Sequence, residues 1–220
     1  MDSRQQILDS IRRALKTPSH LPDEAAPETL SHALAIPALG IEEKIALFRD
    51  EMKAVSGEYI EAASAAEAAE KIAALVREAP AEEASVSAGP LVDAVSAALT
   101  AKGIRLVKPE SLEGDARKNA VARILVGIVE APCAVADTAT LAIPLDGRSM
   151  QPYFLPEVVI ALVSAKSLVA NHFELFQRMP PEERKNLLLI TGPSRTADIE
   201  KILILGAHGP RRLVACLMRD

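Results

Sequence analysis

Aromatic side chains are scarce in this sequence: they make up 3% of its 220 residues. Few stacking platforms are therefore available for bases or sugars. Positive charge is also lacking. The net charge is −5 at pH 7, whereas a general nucleic-acid binder needs clustered Lys and Arg for its phosphate contacts. Residues 178–220 carry eight Lys/Arg against five Asp/Glu, a bias that suits a small anion better than a duplex. Cysteine is limited to Cys133 and Cys216. Neither sits in a C-x-x-C pair, so no cluster or structural zinc is written locally, and two reduced, buried thiols are expected. The four histidines, His20, His32, His172 and His208, show no H-x-x-x-H spacing, and no metal is expected. Gly-x-Gly-x-x-Gly, a Walker loop and a Gly-x-Ser-x-Gly elbow are all absent, which leaves a nucleotide-dependent or serine-hydrolase reading without local support. No apolar stretch reaches about 18 residues, and the polar start Met1–Gln6 precedes no apolar h-region. A cytoplasmic chain without membrane insertion is the expectation.

What is present is aliphatic. Apolar residues make up 49% of the chain, so the core must be built from Ala, Leu, Ile and Val. The length accommodates one sizeable α/β domain with an appendage. Residues 3–16 read as an amphipathic helix, with Ile7, Leu8, Ile11 and Leu15 on one stripe. Pro18, Pro22, Pro27 and Pro37 then break residues 17–40 into a linker. The division predicted is an arm at 1–40 and a domain at 41–220. A helix of about 14 residues is marginal alone. The arm's stripe must dock on its own domain, on a second copy (a homo-oligomer through the arm) or on a partner.

From residue 41 onward, helical and strand patterns alternate. Helices are predicted at 41–56, 65–79, 91–101, near 115–124 and at 166–178. Strands are predicted at 59–62, 84–88, 104–107, 126–129, 133–136, 140–143, 158–164, 187–190 and 212–218, and 202–205 reads as a strand or a short helix end. Such alternation indicates an α/β fold with an open parallel or mixed sheet flanked by helices. Ligands bind such sheets outside the carboxyl ends of the strands.

The stretch richest in chemistry is Thr191-Gly192-Pro193-Ser194-Arg195-Thr196-Ala197-Asp198-Ile199-Glu200, followed by Gly206-Ala207-His208-Gly209-Pro210. The apolar run before it reads as a buried strand, and Ser194, Thr196 and Asp198 read as caps of a helix start. A strand, a tight turn and a helix start gather backbone N–H groups where an anion can sit, with Arg195 as a bidentate donor. The alternative is that Arg195 and Asp198 pair with each other and pin a turn. Asp137, Thr138 and Thr140 occupy a second turn, facing a cleft or closing an Asx-turn. Glu130 and Asp137 are candidates for a paired acid and base. His208 is a further ligand candidate.

These residues carry a family resemblance. The segment 192–200 with Gly206–Pro210 resembles the C-terminal hallmark of the LUD-domain family, the family of lactate-utilisation protein C. Residues 127–129 and 136–141 resemble its second block, and Leu155-Pro156-Glu157-Val158-Val159-Ile160 its third. Together the blocks cover roughly residues 120–220. In two places the chain departs from the pattern: Asp137 and Ala139 stand where Glu and Gly are usual, and Val159 where His is usual.

The resemblance implies the fold of ribose-5-phosphate isomerases, glucosamine-6-phosphate deaminases and CoA transferases. It also implies a cofactor-free component of a three-protein system that oxidises L-lactate to pyruvate beside iron–sulfur redox proteins. The ligand expected is a small carboxylate or phosphate, held by Gly192, Ser194, Arg195, Thr196, Asp198, Asp137, Thr138, Thr140 and His208. A stand-alone isomerase or CoA-transferase-like enzyme and a ligand-free assembly factor are the alternatives.

Overall fold

The computed structural model of the chain describes residues 3–16, 39–114, 121–145, 149–197, 203–206 and 209–219. The chain divides into two compact units, Met1–Pro37 and Ala38–Asp220. The first holds helix α1 (Ser3–Lys16), whose Ile7 and Ile11 are 60% and 50% exposed. Positions 17–38 of the predicted linker lie outside the described residues.

The second unit opens with α2 (Ile41–Ala54), β1 (Glu58–Ala62), α3 (Ala65–Glu78), β2 (Glu83–Val86), α4 (Pro90–Ala101) and β3 (Arg105–Val107). Local chemistry sets these bounds. Ser64 Oγ accepts the Glu67 N–H at 3.2 Å, and the Glu67 carboxylate turns back to accept the Ala63 N–H at 2.8 Å. Those two bonds start α3. Pro90 fits the first position of α4, where no N–H is needed. Gly103, at φ +84°, ends it, and the Ile104 N–H reaches back to the Leu99 carbonyl at 3.2 Å.

The remainder is strand-rich. It runs β4 (Val126–Glu130), β5 (Cys133–Val135), a 3-10 turn (Ala136–Thr138), β6 (Thr140–Pro144), α5 (Gln151–Phe154), β7 (Val158–Ser164), β8 (Leu168–Val169), α6 (His172–Arg178), β9 (Leu187–Thr191), β10 (Arg195–Ala197), β11 (Leu203–Leu205) and β12 (Arg212–Met218). Six strands form one parallel sheet in the order β1-β12-β7-β4-β2-β3. A mixed sheet follows the order β8-β5-β6-β9, and β10 and β11 form a separate antiparallel hairpin.

Alternation along the strands divides the core between two faces. Ile128, Ile160, Leu162, Val214 and Cys216 turn toward α3 and α4, meeting Ile72, Val76, Val92, Val95 and Leu99. Val129, Val159, Ala161, Leu213 and Leu217 turn the other way, onto Ile45, Phe48 and Met52 of α2 and Leu141 and Ile143 of the small sheet. The unbroken apolar runs of β7 and β12 are thus strands buried on both faces. Leu175 of α6 covers Val135 and Ala142 on the small sheet's outer face. Gly127 permits α5 to lie on β4: a Cβ there would stand 2.2 Å from the Pro152 carbonyl oxygen.

Three expectations change. The helix predicted over 166–178 is shorter, because Leu168 and Val169 pair with Ala134 and Val135, and Asn171 then caps a new start by accepting the Glu174 N–H at 2.8 Å. The run 187–190 is a strand, but at the edge of the small sheet and partly exposed, not buried. The helix start expected at Ser194–Asp198 is a strand over Arg195–Ala197. Of the helix expected near 115–124, residues 115–120 lie outside the described residues.

Candidate functional site

The turn after β9 joins two distant parts of the chain. Thr191 stands opposite Thr140, and their hydroxyls lie 2.6 Å apart. Thr140 donates its one hydroxyl proton to Thr138 Oγ1 at 3.0 Å, which leaves Thr191 as the donor to Thr140. Asp137, beside this chain of hydroxyls, donates its N–H to the Ala170 carbonyl at 3.1 Å. Its Oδ1 is buried and has no hydrogen-bond partner among the described residues. A buried polar atom in that state is the sort that a ligand or water satisfies. Ala139, which follows, holds a left-handed conformation at φ +50°.

Beyond Thr191, Gly192 (φ +74°) and Pro193 are buried. Gly192 presses on the end of α2: a Cβ would come 2.8 Å from the Val55 carbonyl oxygen. Arg195 is exposed and donates to that same carbonyl. It therefore caps a helix C-terminus, where a cation is favoured. Ser194 donates its N–H to the Pro210 carbonyl at 2.9 Å and accepts the Gly206 N–H at 2.9 Å. These bonds draw the chain out into β10, where Arg195, Thr196 and Ala197 pair with Leu205, Ile204 and Leu203. Among the described residues no helix N-terminus forms at the turn: a strand over Arg195–Ala197 takes the place of the helix start expected there. Asp198 and His208 lie outside the described residues.

On the far side of Gly206 and Gly209 lies a cavity of about 490 Å³, walled also by Phe154, Leu155, Pro156, Glu157 and Arg211. That is a ligand-sized volume. Glu157 and Arg211 are exposed, 4.0 Å apart, and the Glu157 carbonyl accepts the N–H groups of Arg211 and Arg212 at 2.8 and 3.0 Å. The residues here precede β7 and β12 in the chain. The cavity therefore opens at the amino edge of the parallel sheet, opposite to the carboxyl edge expected for an open sheet.

At the carboxyl edge, β2 is flanked by β3 on one side and β4 on the other. This is where the chain order reverses, the point at which open sheets offer a crevice to ligands. Glu130 stands there. Its residue is 6% exposed, and its Oε2 accepts the Leu91 N–H at 2.6 Å and the Val92 N–H at 3.4 Å. The Glu130 N–H donates to Ser87 Oγ at 3.0 Å. Gly89 makes room, since a Cβ there would stand 2.3 Å from Glu130 Oε2. The start of α4 thus carries a carboxylate supplied by the chain itself. Glu130 belongs to this helix start, not to a free acid–base pair. The sequence signal for the grouping was Gly89-Pro90 after one apolar strand and a lone acid closing another.

Two further cavities carry none of the predicted site residues. One of about 540 Å³ lies between Pro80–Glu83, Gly103, Arg105, Arg123 and Leu125, crossed by the Arg105–Glu83 ion pair. The other, about 140 Å³, adjoins Cys133. Burial pushes the Cys133 thiol up to about 11 and the Cys216 thiol up to about 12. Cys133 also donates to the Ser167 carbonyl at 3.1 Å. Both are free and protonated at neutral pH, so neither is poised as a nucleophile. Among the described residues, no three His, Cys, Asp or Glu side chains converge as a metal set, and no helix is long and apolar enough to cross a membrane.

An open parallel α/β sheet with a buried carboxylate at the switch of its strand order, and a turn-walled cavity at its opposite edge, defines the class of protein. The chain belongs to the LUD-domain family, matching the LUD domain over residues 45–218. It is 33% identical over 118 residues to Lactate utilization protein C of an Exiguobacterium species, an alignment that takes in 50% of this chain and 51% of that protein. It is 32% identical over 105 residues to Lactate utilization protein C of Macrococcus caseolyticus, with 44% and 46% covered. The chain spans about half the length of the curated relatives it matches. A DUF162 family protein from Deinococcus radiodurans, known from its crystal structure, shares the fold: the TM-score is 0.61 at 20% identity, covering 82% of this chain and 99% of that one.

Proposed function

We propose that this chain is the cofactor-free component of a multi-protein system for L-lactate utilisation and that it binds a small carboxylate at the amino-edge cavity. Lactate enters through the relatives named Lactate utilization protein C. The proposed partners are iron–sulfur redox proteins that perform the oxidation of lactate to pyruvate. The proposed wider fold class is that of the sugar-phosphate isomerases and CoA transferases.

One observation carries the reading. The turn Thr191–Ser194 touches Thr140 at one end and Gly206 and Pro210 at the other, and Gly206 shares a cavity with Leu155-Pro156-Glu157. Segments far apart in the chain meet at one place, with Arg211 as the cation for a carboxylate. Ser194 backs the wall at Gly206 and Gly209, and Asp137, Thr138, Thr140, Gly192, Asp198 and His208 belong to the proposal on sequence grounds. Arg195, being engaged with Val55, shapes the turn.

The rival reading, an enzyme acting on a phosphorylated sugar or an acyl-CoA, uses the switch point at β2 and β4. Glu130 disfavours it, because an anionic ligand at the start of α4 must displace a carboxylate already holding those N–H groups. Titration of the full chain with L-lactate, pyruvate, inorganic phosphate and coenzyme A, followed by amide NMR shifts, separates the two. Saturable shifts at 154–157 and 209–212 with the carboxylates are expected, and Arg211→Ala should weaken them about tenfold, the cost of a charge-assisted hydrogen bond. Saturation by phosphate or coenzyme A at 87–92 would move the function to the enzyme class.

A further inference from the structure

The two sheets have four edge strands, and three are blunted. Edge strand β1 carries Glu58 and Glu61, held by Arg212 and Arg219. Edge strand β3 spans Arg105–Val107, with Arg105 paired to Glu83 and Pro109 close behind. Edge strand β8 is Leu168–Val169 alone. Charges, prolines and short length are the devices that keep sheet edges from pairing with other chains. The fourth edge, β9, has none of them. Its sequence is Leu187-Leu188-Leu189-Ile190-Thr191, without charge or proline, and its register against β6 runs unbroken from Pro144 to Thr140.

The pairing with β6 shows which backbone groups are left over. In an antiparallel ladder, bonded and non-bonded pairs alternate. Leu145 donates to the Asn186 carbonyl at 2.8 Å, whereas Pro144, opposite Leu187, has no N–H to give. Bonded pairs are therefore Ile143 with Leu188 and Leu141 with Ile190. The N–H and C=O groups of Leu187, Leu189 and Thr191 point away from β6, to the side where no strand lies among the described residues. Leu189 is 40% exposed, and Leu188 and Ile190, which line the layer between the sheets, are only half-buried.

We propose that this edge is covered by β9 of a second copy of this chain, antiparallel across a two-fold axis at Leu189. The groups left over are those of an extended strand, so the occupant is a strand. Its chemistry must be apolar and neutral, because a charge opposite Leu188 or Ile190 would enter the layer between the sheets. The chain's own β9 meets both demands. About an axis at Leu189, Leu188 faces Ile190, Leu187 faces Thr191, and all three outward residues meet outward residues. No like charges oppose within the strand. The result is a closed, isologous pair that joins two four-stranded sheets into one.

Sedimentation velocity of the full chain at micromolar concentrations tests this, together with two variants. Leu189→Lys sets like charges opposite each other at the axis and should weaken the dimer at least about tenfold. Leu189→Cys should cross-link into a disulfide dimer under mild oxidation, because directly paired residues lie about 5.5 Å apart, within disulfide reach. Cys216 is buried, and Cys133, only partly buried, is replaced by Ser in this variant so that it cannot compete. The cross-link also decides the matter if Leu189→Lys fails to fold. A monomeric full chain whose folded Leu189→Cys variant stays uncross-linked would overturn the proposal. So would a dimer indifferent to both substitutions, which places its axis elsewhere, or a β9 covered by a strand of a different protein while the chain alone is monomeric.

Discussion

Single residues decide the turn after β9. Gly192 is required twice over, by φ +74° and by the Val55 carbonyl that a Cβ would approach to 2.8 Å. Gly192→Ala is expected to cost about 1–3 kcal/mol, the range for a strained backbone at a packed site. Arg195→Ala removes only an exposed cap on α2 and should cost at most about 1 kcal/mol. Denaturant midpoints of the two variants check the order. A larger loss for Arg195→Ala would mean that its guanidinium is buried in a pair, against its exposure and its bond to Val55. Ala139 shows the opposite case, an L residue held at φ +50°. The strain of about 1–2 kcal/mol is partly offset by a buried methyl worth about 0.8 kcal/mol, so Ala139→Gly should change stability by no more than about 1 kcal/mol.

At the scale of elements, ion pairs hold β1 to its neighbour. Arg212 on β12 donates to both Glu58 oxygens, at 2.7 and 2.8 Å. That hydrogen bond, with the charge of Arg212 behind it, holds the Glu58 carboxyl below its usual 4.5 despite opposing desolvation. A depressed folded-state value contributes stability above the unfolded value and loses it as pH falls through the folded one. The side chains are 44% and 35% exposed, so solvent screens the pair. Arg212→Gln should then cost no more than about 1 kcal/mol at pH 7, and the difference from wild type should shrink as pH falls through the depressed carboxyl value. Urea midpoints from pH 7 downward test this. A gap that does not shrink would assign the effect to packing of the arginine stem.

For the whole molecule, the division at Pro37/Ala38 predicts that residues 38–220 fold without the arm. The stripe of α1 is exposed at Ile7 and Ile11, and a helix of that length has little stability of its own. The fragment should keep one cooperative unfolding transition within about 0.5 kcal/mol of the full chain, as for changes away from the core. An insoluble fragment would show that the core continues into the arm.

Much of this architecture was legible locally. Ser64 with Glu67, Gly103 after a helical pattern, and the apolar runs 158–164 and 212–218 report on neighbours within a few positions, and they appear where expected. The alternation of helix and strand followed from them, and with it the parallel sheet. Tertiary structure alone decided which ends meet. Thr140 finds Thr191 across 51 positions, and Arg195 finds Val55 across 140. Nothing in the capping pattern of Ser194-Arg195-Thr196 shows that Pro210 and Gly206 take its backbone and pull it straight. Glu130 likewise reads as the polar end of a strand until Gly89 brings the start of α4 onto it. The run 187–190 marks the limit most clearly. Apolar composition records which side chains leave water, but backbone N–H and C=O groups are the same in every residue, so only the pairing of strands shows an edge left open.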